Sequence, residues 1–536
     1  MNKRGFTLVE LIGTIVILLV LSLLVFPNLL NLIKNSKKDI STSTKDFIYG
    51  QAKSYVYDNV NDYTLKEGNI YCVGLKDLVS KNYLNTPLKD AESGNDIDLS
   101  KQIEVKVNNN DYSYELVETC TPKSYYTDNS GANMPKLFNN MVPIKYENNK
   151  WLVADLYSKW YDYDSKEWAN AVVLNNGITK DVDDEVTEEE VALWYVWVPR
   201  YKYTIFNGNN GSAAAQLINV TFENEVDKTG TVTCKDNTDG SETCTDNTYG
   251  SIVNGISTYT HPAFKFGNTE LTGFWVGKFE ISTTDSTCNS SASSANCNKV
   301  LTMSIKPNVS SWRYATISNY FTSIQNAIGT YGISNADSHM VKNMEWGAVA
   351  YLKQSKYGLG TTDIGINNNS NYITGCGATV GSASSTICNK YNTATGMLAS
   401  TTGNIYGVYD MSGGTWEIVM GNMKNSDNAF YSRKSGFTTV PDAKYYDSYK
   451  YDGNDTSSTS HERGKIGDAT KEILTNLKVT NGGWYSDSSY FLSFIYPWLT
   501  RGGIYDAGIN AGIFYFSSNA GADSDSHSTR AVLTAQ

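Results

Sequence analysis

Eight cysteines fall along the chain as four neighbouring couples: Cys72 and Cys120, Cys234 and Cys244, Cys288 and Cys297, Cys376 and Cys388. Three of the couples enclose short polar loops, as in the run from Cys234 through Asp236, Thr238 and Gly240 to Cys244. Thiols so placed oxidise to local disulfides in an oxidising compartment, although eight cysteines admit many pairings and sequence alone does not choose among them. Zinc is the rival chemistry. No couple has CxxC spacing, and His261, His339, His461 and His527 do not cluster with the cysteines, so no metal site is expected from them. Glu280 and Glu417 are isolated acids beside aromatics and read as buried hydrogen-bonding groups rather than as an acid and base. Glu10 is the single formal charge between Phe6 and Ile33, and a lone carboxylate in apolar surroundings needs a partner.

The element that carries Glu10 is an apolar run from Leu11 to Phe26, broken only by Gly13, Thr14 and Ser22. As a helix the stretch from Phe6 to Ile33 is long enough to span about 30 Å of hydrocarbon, with Lys3 and Arg4 held on the cytoplasmic side. No small-residue cleavage site follows the run, which ends in Phe26, Pro27 and Asn28. The informative residues precede it. Lys3, Arg4, Gly5, Phe6, Thr7, Leu8, Val9, Glu10 and Leu11 resemble, without a gap, the N-terminal signature of the type IV prepilins and pseudopilins. The resemblance implies cleavage after Gly5 by a prepilin peptidase and methylation of the new amine on Phe6. It also implies assembly with other pilin subunits, in which Glu10 meets the Phe6 amine of a neighbour. The same helix then serves first as a membrane anchor and later as filament core.

Past Pro27, Leu29, Leu30, Leu32 and Ile33 give way to Lys34, Lys37 and Lys38, and Phe47, Ile48, Ala52, Tyr55 and Val56 recur near helical spacing. Alternation at Ile103, Val105 and Val107, then at Tyr112, Tyr114 and Leu116, predicts strands. The chain therefore divides into a leader and hydrophobic helix over 1–34 and a small pilin-like sheet packed on a helix over 35–122. An aromatic β lead-in and acidic linker over 123–190 follows, and the remainder, 191–536, is one larger domain. The linker assignment rests on Asp181, Asp183, Asp184, Glu185, Glu188, Glu189 and Glu190, a run without the alternating-ligand-plus-Gly pattern of a calcium loop.

In that larger domain several blocks occur in order. They are Trp194 to Tyr201 (WYVWVPRY), Gly273 to Glu280 (GFWVGKFE), Asn343 to Ala350 (NMEWGAVA), Asn404 to Glu417 (NIYGVYDMSGGTWE), Arg501 to Gly503 (RGG) and Ser528 to Leu533 (STRAVL). In this order they resemble the formylglycine-generating-enzyme-like branch of the C-type lectin-like fold. The implied fold class is α+β: a long pilin helix with a small antiparallel sheet, followed by a large lectin-like α+β domain. Locally, Asn343 can cap a helix through Trp346, Ala350 and Leu352, and Gly413 and Gly414 supply a tight turn that returns Trp416 to a core. The enzymes of that family use a reactive cysteine pair near the C-terminus, whereas Trp484 to Gln536 contains no cysteine. Without a thiolate there is no agent for that chemistry, and a non-catalytic role is expected. Structural calcium stays an open alternative, although Gly414 stands where the family often has Asn and so argues against the family's calcium sites; no other cofactor is expected.

The stretch from Trp498 to Thr529 interleaves framework-like glycines and aromatics with Tyr505, Asp506, Asn510, Tyr515, Ser517, Asp523, Asp525 and His527, the expected ligand-contacting residues. Tyr505 and Tyr515 would anchor a ligand through apolar area plus a hydroxyl, and the polar residues would supply selectivity. In position this stretch resembles the variable region of lectin-fold proteins diversified by retroelements. From Ile504 to Thr529 there is no Lys, Glu, Gln, Met or Trp, as expected of codons of that kind. Composition bounds the partners: 44 Lys plus Arg against 55 Asp plus Glu gives a net charge of −11, which opposes general nucleic-acid binding. The expected function is a surface-displayed pilin-like protein carrying a non-catalytic lectin-fold head for an unidentified protein or glycan ligand, anchored in the cell membrane before assembly and extracellular afterwards. The alternative is a structural minor pseudopilin or assembly subunit of a type IV pilus or type II-like secretion system.

Overall fold

The computed structural model describes residues 40–205, 214–246, 257–285, 288, 294–474, 477–478 and 480–535. Gly5, Phe6, Glu10 and the apolar run expected to cross the membrane lie outside the described residues. Among those described, no helix is long and apolar enough to cross a membrane. The chain forms two compact units, Met1–Tyr125 and Tyr126–Gln536.

In the first unit, helix α1 (Thr42–Asp58) buries Ile48, Ala52 and Val56, each four residues apart and hence on one face. The short helix α2 (Leu75–Ser80) follows strand β1 (Ile70–Gly74). Strands β2 (Gln102–Asn108) and β3 (Asp111–Val117) complete a three-stranded antiparallel sheet in the order β1-β2-β3. Asn109 and Asn110 make the β2–β3 turn with φ of 52° and 58°, a conformation that Asn tolerates better than most residues. Ile103, Val105 and Val107 point inward at period two and are fully buried, while Phe47 of the predicted helical stripe is exposed.

In the second unit, strands β4 (Met141–Glu147), β5 (Lys150–Val153), β6 (Asn170–Leu174) and β7 (Val191–Pro199) lead chain order. A five-stranded sheet then uses β8 (Tyr201–Thr204), β9 (Asn219–Phe222), β10 (Val232–Asp236), β11 (Glu242–Asp246) and β12 (Tyr259–Thr260). A ribbon of β13 (Lys265–Phe266) and β14 (Thr269–Glu270) precedes β15 (Gly273–Gly277). Helix α3 (Ile317–Thr330), strand β16 (Ala336–Met340) and helix α4 (Asn343–Lys353) come next. The remaining strands are β17 (Trp416–Met423), β18 (Asp447–Tyr449), β19 (Trp498–Gly502), β20 (Gly512–Asn519), β21 (His527–Ser528) and β22 (Ala531–Ala535).

The main sheet has seven strands in the order β16-β22-β15-β7-β6-β4-β5, and a second sheet runs β18-β17-β19-β20 with β21 alongside β17. Every residue of β7 and β15 is buried, which explains why these strands read as continuous apolar runs rather than alternating ones. The architecture is mixed α and β with sheet predominating.

Residues 126–190 are not a separate lead-in and linker. β4, β5 and β6 belong to the main sheet, with β6 paired to β7 from Asn170↔Val196 onward. The acidic run folds back on β5: Val186 is buried, its N–H donates to Trp151 O at 2.8 Å, and Lys150 and Lys180 pair with Glu185 and Glu190. Asn343 does not cap α4. Lys342 holds that position, with the Glu345 carboxylate accepting the Lys342 N–H at 2.8 Å, and the Asn343 side chain turns inward to Tyr449 and Arg501.

Candidate functional site

All eight cysteines are bonded as Cys72–Cys120, Cys234–Cys244, Cys288–Cys297 and Cys376–Cys388. Among the described residues one cluster has the geometry of metal ligands, Cys234, Glu242 and Cys244, but its sulfurs are joined to each other and offer no thiolate.

The sequence blocks converge on a set of buried charges that hold loops in place. Arg530 donates through Nε to Glu417 at 3.1 Å, through Nη1 to Gly277 O at 2.7 Å and through Nη2 to Tyr409 O at 2.8 Å. Glu280 accepts the Thr415 N–H at 2.9 Å and the Ser311 hydroxyl. Lys278 donates to Asn170 Oδ1 and to the carbonyls of Ile405 and Gly407 at 2.7 to 2.9 Å. Burial pushes Glu280 well above the usual carboxylate range and Lys278 well below the usual ammonium range. Each of these polar groups hydrogen-bonds within the protein, tying loops to the sheet.

Gly413 and Gly414 form the expected turn, with φ of 78° and 66°, but Trp416 beyond it is half-buried rather than returned to the core. A Cβ on Gly414 would come within 2.6 Å of Glu280 Oε1, and the positive φ there favours glycine.

Arg501 is likewise buried, donating to Asn343 Oδ1 at 2.7 Å, to Ala469 O and Tyr515 O, and to Asp468 O. Gly502 and Gly503 follow at φ of 82° and 79°, and the β19–β20 register shifts between Arg501 and Gly502. The turn that leaves this bulge carries Tyr505, whose N–H donates to Gly414 O at 2.9 Å.

The eight expected ligand residues separate into two groups. Asp506, Asn510 and Asp525 are exposed, and Tyr505, Ser517 and Asp523 are half-buried. Tyr515 and His527, by contrast, are only 7% and 6% exposed and are therefore withdrawn from the contact set. Burial holds the His527 imidazole down at about 4, so it stays neutral. It lies edge-on to half-buried Trp416 at 5.9 Å.

The structure adds residues that sequence reasoning missed. The Tyr505 ring meets Tyr372 edge to face at 5.0 Å, and the Arg313 guanidinium lies 4.1 Å from the Tyr372 ring centre while donating to Asp525 O at 2.7 Å. Burial pushes the Tyr372 hydroxyl up to about 12, with Tyr505 adding to the rise, Arg313 opposing it, and Asp525 and Asp506 adding again. These residues thus share one electrostatic neighbourhood. Nothing in the Asn-rich run Asn367 to Tyr372 signals it, because the partners are far apart in sequence.

Residues 1–26 match the family model of the prokaryotic N-terminal methylation motif. No curated protein matches the chain. The motif is a type IV prepilin-like signal, of the kind found on pilin-like and pseudopilin-like surface proteins. It points to processing by prepilin peptidase, assembly with pilin subunits, and passage from a membrane-anchored form to the surface or a pilus. Gly5, Phe6 and Glu10 fall inside the matched segment.

Proposed function

We propose that this chain is a pilin-like surface protein whose larger unit is a non-catalytic, lectin-fold head that recognises a ligand through the turn following Gly503. The carrying observation is the construction of that turn. Tyr505, Asp506 and Asn510 stand on a segment tied down by the Tyr505 N–H donating to Gly414 O, and Tyr505 is braced by Tyr372. A rigid scaffold presenting aromatic and polar side chains on a loop is the arrangement of binding surfaces. The return of β22 beside β15, with long loop-rich segments between, supports the lectin-like reading. The bonding of every cysteine supports a role without thiol chemistry. The retroelement-type variability of 504–529 belongs to the same proposal and is tested by comparing related strains, which should concentrate substitutions there.

The test is adhesion of cells displaying the chain. Tyr505→Ala with Asp506→Ala should abolish binding while surface display is unchanged. Normal adhesion by that variant, with antibody label confined to filament tips, would instead support the structural pseudopilin reading.

A further inference from the structure

We infer that the ligand of this face is a polypeptide segment that pairs a Lys or Arg side chain with neighbouring aliphatic ones; the inference rests on the binding-head reading above. Three observations carry it. First, the surface beside Tyr505 is apolar to a degree unusual for exposed loops: Ile509 is 59% exposed, and Ile387 and Val380 of the Cys376–Cys388 loop are 69% and 49% exposed. The loop and the turn adjoin, since a Cβ on Gly381 would meet Ile509 Cγ2, and Ala378, Ala507 and Ala511 pack together beneath them.

Second, the charge is of one sign. Residues 366–388 and 504–529, the segments from which these loops emerge, contain three aspartates and no Lys, Arg or Glu. His527 is held neutral, and the cation that touches the cluster, Arg313, is 7% exposed beneath Tyr372. Third, the exposed acids flank aromatic rings: Asp506 follows Tyr505 directly, and Asp525 lies within electrostatic reach of Tyr372. An ammonium or guanidinium gains from ring faces and from carboxylates at once, and charge complementarity of this kind sets specificity and association rate. The branched aliphatics Ile387, Val380 and Ile509 suit apolar side chains better than sugar hydroxyls, which selects a polypeptide over a glycan.

The full chain, purified in detergent, is passed over immobilised synthetic peptides of alternating Lys and Leu, with Glu-Leu and Ser-Leu peptides of equal length beside them. Retention should be selective for Lys-Leu and should fall with salt. Asp506→Asn with Asp525→Asn should weaken it by about ten-fold, and Ile387→Ser with Ile509→Ser by a similar factor. Asp111→Asn with Asp427→Asn, which removes as much charge elsewhere, should leave it unchanged. Equal retention on all three peptides overturns the inference. So does an equal loss in the control variant, or retention on an array of neutral oligosaccharides in place of the Lys-Leu peptide. Tryptophan fluorescence confirms that each variant is folded. Should Tyr505→Ala with Asp506→Ala abolish cell adhesion while the parent ignores Lys-Leu peptide, this inference fails and the binding-head reading stands; should that variant leave adhesion intact, both fail.

Discussion

The two units bury different kinds of side chain. The core of the first is made of aliphatic residues such as Ile48, Ile103 and Val105 with Tyr112 at its margin, and its ion pairs, Lys89–Asp96 and Lys101–Glu118, are at the surface. The core of the second is rich in Trp and Tyr and also encloses Arg200, Lys278, Glu280, Glu417, Arg501 and Arg530, each at most 1% exposed. The difference follows from the backbone. Where ladders and helices satisfy the peptide groups, an aliphatic core suffices. Where long loops pass through the interior, their carbonyls need donors, and the buried Arg and Lys side chains supply them. Arg200 shows the pattern again, donating to the carbonyls of Asp227, Phe264 and Leu271 as well as to Glu223 and Glu270.

That contrast can be broken first at Arg530. Arg530→Met strands the Glu417 carboxylate and the carbonyls of Gly277 and Tyr409, and should cost the second unit about 3–5 kcal/mol. All eleven tryptophans lie beyond Tyr125, so a denaturant titration followed by Trp fluorescence reads this unit alone. A cost below about 1 kcal/mol would mean that the buried charges are incidental to the loops around them.

The first unit should depend instead on its covalent staple. Cys72 and Cys120 are 48 residues apart, and on the chain-entropy account closing such a loop stabilises by about 4 kcal/mol. The second unit's loops, with separations of 9 to 12 residues, contribute nearer 3 kcal/mol each on the same account. Cys72→Ser with Cys120→Ser should therefore lower the melting temperature of the first unit, read by far-ultraviolet dichroism, and leave the Trp transition in place. Loss of both transitions together would show that the units do not unfold independently.

The smallest expected effect is one of pH, and its sign differs between Asp90 of the first unit and a set of buried acids of the second. Asp90 accepts the hydroxyl and N–H of Ser41 at 2.6 and 2.7 Å, and these bonds hold its carboxyl well below the usual range. Its contribution is present above the ordinary carboxylate value near 4 and is lost as pH falls through the folded value. In the second unit burial raises Glu472 to about 7, and Asp363, Asp447 and Glu242 to about 6. Their contribution is present in acid and lost as pH rises from about 4 through those values. His339, between Asp337 and Glu345, is held above its ordinary value despite burial, and it too loses its contribution as pH rises. From pH 5.5 to 8 the Trp transition should shift downward while the first unit's stays level; an upward shift would refute the assignment.

Much of this was legible in the sequence where signals are local. The alternation in β2 and β3 and the three short cysteine couples each depend on residues close together in the chain. Legibility failed where coverage comes from elsewhere. Tyr515 reads as a surface anchor because it sits among Ser and Gly, yet Gly512 to Phe516 are all buried, so the strand has no open face to alternate toward. The acidic run reads as solvated because nothing local shows that β5 lies against it. The Tyr372–Tyr505 contact joins loops separated by most of the second sheet, and no spacing rule reaches that far.

One feature of the main sheet governs the order in which the second unit can fold. β22, the segment Ala531–Ala535, is inserted between β16 and β15, with Val532 opposite both His339 and Val276. Until those residues have left the ribosome, the strands on either side lack a common neighbour and the sheet stays in two parts. Non-local pairing of this kind is slow and makes completion depend on the whole segment being present. A chain interrupted at any earlier codon would expose two unpaired β edges and be open to proteolysis, whereas a chain still being threaded across a membrane would be kept from locking prematurely into its final form.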